Sequence, residues 1–541
     1  MGGSTMTVEQ VANSTVKYIT ELFEVDKQEY LQHILDLELC EEEEELSQED
    51  KELLERHRIS EDPMLPEWMR EAVLIGCVYD WRERQWGIGN VPKVVEEGES
   101  RLKIKYDLLT EWVLKRFCVV TFNQILFIYS HQMYVENKGE IEKEITNILK
   151  KNGISDERQI RGIVNEVVTR VMYLSSQREY PFNKLGAEFI PLKNGILWRG
   201  KEYRLLPHSP CFLYTYRLPV KFDPNAECPK IDKFLSEIVE PDNVDILYEI
   251  PASCLLQSSE YHEAYMLVGG GGNGKSTFLK LVEALLGKEN VSSVSLQELC
   301  ESRFKVAALV GKLANIYADI PRKPVKYFEK FKMITGGDGV TVERKYKDPF
   351  KFRNTARLIF AANELPTVTE DTYAFWRRWI LIEFPNTFPP NPNLIKELTT
   401  DEELSGFLNK VLAALTKIEI QGKLSKSGTV EKLMETWKKM SNPVYAFVLE
   451  RCEADPNAWE TKDDVYADYV DFCKENDLRV LSKNVFAQEL GKHIRVAATK
   501  KKVGGTRVWV WVGLKLKPKK EEDEEEKPEE MVLDFFNEGE E

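Results

Sequence analysis

Short continuous apolar runs alternate with helically spaced segments between about residues 260 and 385. Residues 265–268 form one such run, and a glycine-rich loop and the helically spaced residues 278–286 follow it. Two further apolar runs, residues 313–318 and 357–362, each end at a polar side chain. Short apolar runs that alternate with helices are typical of strands buried on both faces. The pattern therefore predicts an α/β core.

The flanking patterns predict four further regions. Residues 1–105 read as a helical, tryptophan-containing region of unknown role, and residues 106–258 as an α+β domain before the core. The core with its helical extension spans residues 259–440. Residues 441–516 read as three helices and a hairpin, which suits a winged-helix-like domain that contacts nucleic acid, although a helix-hairpin packing module has the same order. Residues 517–541 form an acidic, low-complexity tail.

The loop after the first core strand fits the phosphate-binding pattern G-x-x-x-x-G-K-[ST]. Glycines there let backbone N–H groups point at a phosphate, and the following helix N-terminus adds positive potential. We expect Lys275 to neutralise the β- and γ-phosphates of ATP, and Ser276 to hold Mg²⁺. The loop comprises Gly269, Gly270, Gly271, Gly272, Asn273, Gly274, Lys275, Ser276 and Thr277.

Two polar residues follow the other core strands. Asp319 comes directly after residues 313–318, where a carboxylate would hold Mg²⁺. Asn363 follows residues 357–362, where an amide would orient the attacking water. The alternative for Asn363 is a capping role before the turn at Pro366.

The charge of the chain is unevenly distributed. The formal net charge is −16, but residues 521–541 carry twelve acids against Lys527, so the remaining 520 residues carry only −5. Residues 301–357 contain fourteen Lys and Arg against six acids. A basic sector directly after a nucleotide loop favours a nucleic-acid partner.

A hairpin is predicted within this basic sector. Residues 340–342 and 350–352 alternate around a charged turn that contains Lys345, Tyr346 and Lys347. We expect the two lysines to bind DNA phosphates and the tyrosine to stack on a base. A solvated surface hairpin is the alternative.

Two adjacent arginines, Arg377 and Arg378, lie between Trp376 and Trp379. One of them, with Arg378 preferred, is a candidate arginine finger that would reach the γ-phosphate of a neighbouring subunit. A surface ion pair is the alternative interpretation.

Together these motifs resemble the phage and plasmid primase-helicases of poxvirus type, a branch of the superfamily 3 helicases. The resemblance rests on the phosphate loop, the Asp319 and Asn363 strands, Thr335-Gly-Gly-Asp338 and the Arg377-Arg378 segment. It implies an AAA+-like P-loop core, a hexameric ring and ATP-driven translocation on single-stranded DNA, in the replication of a virus or plasmid. One departure is Ala318, where many relatives carry a second acid, so the base that activates water stays open.

Two other functions fit parts of the pattern. A P-loop nucleoside or nucleotide kinase is disfavoured, because nothing after the core resembles an arginine-rich lid. An origin-binding or loading ATPase that switches assembly without unwinding DNA would use the same motifs. Strand displacement separates this alternative from a helicase.

The tail contains one apolar segment, residues 531–536, with the side chains Val532, Phe535 and Phe536. Their spacing resembles a sliding-clamp-binding box, although Glu529 stands where a glutamine is usual; docking onto the basic core of the chain is equally compatible. No apolar run is long enough to span a membrane, and nine scattered cysteines indicate reduced thiols. We therefore expect an intracellular protein without a membrane partner.

Overall fold

The computed structural model describes residues 8–38, 46–86, 92–97, 102–177, 180–320, 328–343, 349–366, 368, 372–476 and 478–517. The chain divides into two compact units, Met1–Met434 and Glu435–Glu541. The finer boundaries expected at residues 105, 258 and 440 stay predictions. The clamp-box residues Val532, Phe535 and Phe536 lie outside the described residues.

The first unit begins with helices and three small sheets. Its first elements are α1 Val8–Glu38, α2 Gln48–Ser60, α3 Glu67–Trp86, β1 Val95–Glu97 and β2 Leu102–Ile104. A four-stranded sheet in the order β5-β4-β3-β6 follows, with elements α4 Tyr106–Phe117, β3 Val120–Phe122, β4 Ile125–Ser130, β5 Met133–Glu136, α5 Lys138–Lys151, α6 Glu157–Leu174 and β6 Ser176–Gln177. A three-stranded antiparallel sheet and two helices then lead to the core: β7 Phe189–Leu192, β8 Gly195–Arg199, β9 Tyr203–Leu206, α7 Pro229–Ile238 and α8 Val244–Leu255.

The core is a five-stranded parallel sheet. Its five strands are β10 Ala264–Val268, β11 Val291–Ser292, β12 Ala314–Tyr317, β15 Arg357–Ala362 and β16 Trp379–Glu383. All of them run parallel in the order β11-β12-β15-β10-β16. Every residue of β10 and β15 is buried, because helices cover both faces of a parallel sheet. The predicted α/β class is therefore confirmed, and the structure adds that the sheet is parallel.

Between and after the core strands lie the remaining elements of this unit. They are α9 Lys275–Leu286, α10 Leu296–Glu301, α11 Glu329–Thr335, β13 Val340–Val342, β14 Phe350–Phe352, α12 Tyr373–Trp376, α13 Leu394–Leu398, α14 Asp401–Gln421 and α15 Gly428–Ser441, which contains the boundary between the units. β13 and β14 pair as the predicted hairpin, with Val340 opposite Phe352.

The second unit has its own hydrophobic core, which includes Phe447, Tyr469 and Phe486. Its elements are α16 Pro443–Arg451, β17 Cys452–Thr461, α17 Lys462–Glu475, α18 Lys483–His493, β18 Ala497–Val503 and β19 Thr506–Leu516. The three strands form an antiparallel sheet in the order β17-β19-β18. The sequence predicted the hairpin but not β17, so the predicted order of helices and strands was wrong at that point.

Candidate nucleotide-binding site

The glycine-rich loop connects buried strand β10 to the first turn of α9, as its pattern predicted. Gly274 has φ 86°, in the left-handed region where a side chain is strained. A Cβ atom there would also lie 2.7 Å from Cγ2 of Ile238 on α7. Glycine at this position therefore lets α7 pack closely against the loop.

The Lys275 side chain is folded onto its own loop. Its Nζ donates to the carbonyl oxygens of Gly269 at 2.5 Å and Gly270 at 2.8 Å, and to Oδ1 of Asn273 at 2.8 Å. Burial lowers the pKa of Lys275, and the nearby charge of Asp319 opposes that shift. Three oxygen acceptors compensate for the desolvation of the ammonium group, and phosphate oxygens are acceptors of the same kind.

Asn273 fastens the loop to the sheet. It is 4% exposed, and its Nδ2 donates to the carbonyl oxygen of Phe384, the residue after β16, at 3.1 Å. A Cβ atom at Gly269 would lie 2.2 Å from that Nδ2, so glycine at position 269 leaves room for the amide. The two ends of the Asn273 amide thus bind Lys275 and the sheet.

The loop, Asp319 and Asn363 line a single cavity of roughly 870 Å³. They meet there because β10, β12 and β15 are parallel, and the carboxyl ends of such strands lie at the same edge of a sheet. The predicted residues that line the cavity are Gly270, Gly271, Gly272, Asn273, Gly274, Lys275, Ser276, Thr277, Asp319 and Asn363. Gly269 contributes its carbonyl to Lys275.

The opposite wall of the cavity was not predicted. It comes from α7 and from the segment between β16 and the end of α13: Lys230, Lys233, Phe234, Glu237, Ile238, Phe388, Pro389, Pro390, Asn391, Leu394, Glu397 and Leu398. The periodicity of residues 231–240 indicates a helix, but periodicity does not say what the helix packs against. Glu237 and Glu397 are the other carboxylates that line the cavity besides Asp319.

Helix α7 is held in place by a carboxylate from α14. Glu403 is buried, and its two oxygens accept from the backbone N–H groups of Lys230 at 3.3 Å and Ile231 at 3.1 Å. These are N–H groups of the first turn of α7, which have no acceptor within the helix. α14 therefore fixes one wall of the cavity.

The two candidate arginines have different surroundings. Arg378 is 7% exposed and donates to Thr335 Oγ1 at 3.0 Å, to the carbonyl oxygen of Lys332 at 3.3 Å and to that of Ala374. All three acceptors belong to its own chain, which disfavours the expected role of Arg378 as an arginine finger. Arg377 is exposed. Neither arginine is among the described residues that line the cavity.

The hairpin is described only at its base. Lys345, Tyr346 and Lys347 lie outside the described residues, so their expected role in DNA binding stays a prediction. Glu343, directly after β13, forms an ion pair with Arg303 at 3.3 Å. It is not among the described residues that line the cavity.

Family models match three separate segments of the chain. Residues 107–240 match "D5 N terminal like", residues 439–538 match "Poxvirus D5 protein-like", and residues 267–378 match a "Family of unknown function". The chain is related to the poxvirus D5-type proteins. The predicted resemblance to primase-helicases of poxvirus type is thus confirmed.

Two viral proteins are similar to part of the chain. A "Putative helicase" of Acanthamoeba polyphaga mimivirus is 30% identical over 338 residues, which cover 60% of this chain and 33% of the relative. A "Putative primase" of African swine fever virus is 23% identical over 360 residues, which cover 59% of this chain and 37% of the relative. The chain therefore spans only about a third of the length of these curated relatives.

Among solved structures, the apo structure of the NrS-1 C terminal region aligns with 75% of this chain and 98% of its own. The identity is 14% and the TM-score is 0.42. In the part of the chain that the structure describes, no helix has both the length and the hydrophobicity of a membrane span.

Proposed function

We propose that the chain is the motor of an ATP-dependent replicative DNA helicase of a virus or plasmid. The observation that carries the proposal is the shared cavity, where a phosphate loop with Lys275 and Ser276 faces Asp319 and Asn363. Kinases and motors both have phosphate loops. Asn363 follows the strand that lies between β10 and β12, and a polar residue at this position fits a motor that orients a water molecule. The relationship to viral proteins named helicase and primase supports the same function.

The described sheet supports an AAA+-like core. β15, which ends next to Asn363, lies between β10 and β12. This order brings the phosphate loop, the water-orienting amide and the acid to one edge. In the second unit, the order helix, strand, two helices and hairpin supports a winged-helix-like domain.

Mg²⁺ fits the oxygen donors of the cavity. Ser276 and Asp319 are exposed and line it together, and hydroxyl and carboxylate oxygens are the ligands that Mg²⁺ prefers. These two residues would hold the ion, which would neutralise charge on the phosphates. Lys275 would leave its loop carbonyls to bind the phosphates, and Asn363 would orient the attacking water.

The remaining contacts depend on assembly and on DNA. The exposed Arg377 would act as the arginine finger in a homo-hexameric ring, because Arg378 is engaged within its own chain. Lys345, Tyr346 and Lys347 would hold single-stranded DNA. A sliding clamp that binds through Val532, Phe535 and Phe536 is a further proposed partner.

The test compares Lys275→Ala and Asp319→Asn with the wild type for ATP hydrolysis and strand displacement. Both variants should fold, because neither side chain belongs to the hydrophobic core, and both should lose turnover, because the proposed contacts with the phosphates and the metal are lost. Normal turnover by Lys275→Ala would overturn the proposal. DNA-stimulated hydrolysis by the wild type without strand displacement would favour the origin-binding or loading ATPase, which the basic residues 479–517 of the second unit would also suit.

A further inference from the structure

The last described segment of the second unit has an unusually one-sided charge. Residues 479–517 contain ten Lys and Arg but only one acid, Glu489, which gives a net charge of +9. Lys500, Lys502 and Arg507 of the β18–β19 hairpin are all exposed. A dense basic surface of this kind is the electrostatic footprint of a nucleic-acid partner.

The hairpin holds these cations in a defined geometry. A two-residue turn joins Val503 to Thr506, and both turn residues have positive φ, 56° at Gly504 and 89° at Gly505. Turns of this conformation match the twist of paired strands, and glycine adopts them without strain. The register of the hairpin places Trp509 directly opposite Lys500.

Trp509 is the unusual member of this surface. Its side chain is 52% exposed, although tryptophan is mostly buried in folded proteins. The Nζ atoms of Lys500 and Lys462 lie 4.9 Å and 5.3 Å from the centre of its ring. Lys462 is also 3.9 Å from the ring of Trp511, which is buried in the core of the unit. The exposed indole is thus flanked by two cations, one of which also packs on a buried ring.

We propose that Trp509 is a stacking platform for an unpaired base of a single-stranded nucleic acid, and that Lys462 and Lys500 bind the adjacent phosphates. A base offers a flat π-face to the indole, and its backbone offers anions to the ammonium groups. A duplex stacks its bases on one another and leaves no face for the ring. An acidic peptide would satisfy the lysines but leave the indole in water.

The relative strengths of the contacts favour a base over the two ammonium groups as the partner of the Trp509 ring. At an exposed site, a lysine–indole contact shifts an equilibrium about two- to fivefold, whereas a stacked base contributes about five- to a hundredfold. A base can therefore displace the ammonium groups from the ring, and the phosphates then hold them. This site goes beyond the proposed function, because it needs neither ATP hydrolysis nor the Lys345–Lys347 turn.

The test measures binding of fluorescent oligothymidylate to the full chain by anisotropy, without nucleotide and at several salt concentrations. The parent protein is the Lys345→Ala/Lys347→Ala variant, so that DNA binding by the β13–β14 hairpin does not mask the result. This parent is compared with the same protein carrying Trp509→Ala, Trp509→Phe or Trp509→Leu. Trp509→Ala should bind about 5- to 100-fold more weakly, with an unchanged salt slope because the lysines remain. Trp509→Phe should retain most of the affinity.

Controls separate stacking from charge and from folding. Tyr173→Ala removes an aromatic side chain that is 81% exposed in the first unit, and Lys474→Ala removes an exposed lysine of the second unit. Tyr173→Ala should leave binding unchanged and Lys474→Ala should not alter the salt slope, whereas Lys500→Ala should lower the slope by about 0.7. Trp509→Leu keeps apolar bulk without a π-face, so equal binding by the Leu and Trp proteins would overturn the proposal.

The choice of oligonucleotide identifies the ligand. Oligothymidylate and oligouridylate should both bind more tightly than a blunt DNA duplex, because both present unpaired bases. Preference for the duplex, wild-type affinity of Trp509→Ala, or equal losses on single strand and duplex would each overturn the proposal. The Lys275→Ala variant should lose ATP hydrolysis but still bind oligothymidylate as the wild type does. Failure of the proposed ATPase function can therefore be distinguished from failure of the proposed stacking site.

Discussion

Arg377 and Arg378 are adjacent in sequence but differ in burial, so their alanine variants should fail in different ways. Arg378→Ala removes three hydrogen bonds from a charged, buried group, at about 1 kcal/mol each, which makes the variant roughly 3 kcal/mol less stable. If Met1–Met434 unfolds as one unit, with an entropy of about 2.1 cal/mol/K per residue, its Tm should fall by roughly 3 °C.

Arg377→Ala should leave the Tm unchanged, because an exposed side chain contributes little to stability. If Arg377 is the finger, turnover should fall by about 10³- to 10⁵-fold. Mixing this variant with Lys275→Ala should restore some hydrolysis, because each subunit supplies what its neighbour lacks. Arg377→Lys, which keeps the charge but loses the planar fork, is the matched control.

Thermal unfolding and steady-state ATP hydrolysis, measured on the same preparations, decide between the two roles. The reasoning is refuted if Arg378→Ala keeps the wild-type Tm but loses turnover, while Arg377→Ala hydrolyses ATP normally. In that case the contacts of Arg378 with its own chain would be replaced in the assembled ring.

Two more predictions concern the hairpin and the wall of the cavity. Lys345→Ala and Lys347→Ala should each lower the salt slope of single-stranded DNA binding by about 0.7 while basal hydrolysis survives, and an unchanged slope would place the hairpin away from DNA. Glu403→Ala should cost about 1–2 kcal/mol and weaken ATP binding, because the first turn of α7 loses its acceptor. ATP binding is measured by titration. The control is Glu402→Ala, an exposed change on the same helix, and its affinity for ATP should equal that of the wild type.

The sequence was most informative where local pattern and chemistry agree. Most of the core strands are short, largely apolar runs, and polar side chains follow two of them at the carboxyl edge of the sheet: Asp319 two residues after β12 and Asn363 directly after β15. The phosphate loop was predictable because its glycines and its lysine have fixed spacing. The β13–β14 hairpin was predictable from its period-two alternation.

The elements that were missed depend on distant contacts. β17 contains Pro456 and Asn457 and is mostly exposed, so it lacks the pattern of a strand, and its pairing with β19 defines it instead. The α7 wall of the cavity depends on Glu403, more than 170 residues away. Burial also distinguished Arg378 from Arg377, a difference that adjacent identical residues cannot reveal in sequence.

Hydrogen bonds near the two ends of strand β16 connect it to two different parts of the first unit. Arg378, just before it, binds Thr335 at the start of the turn into the hairpin, and Phe384, just after it, accepts a hydrogen bond from Asn273 of the phosphate loop. Among the described strands, β16 pairs only with β10, so one ladder alone resists its displacement. An edge strand of five residues, about 17 Å long, thus connects the glycine-rich loop to the residues that lead into the hairpin.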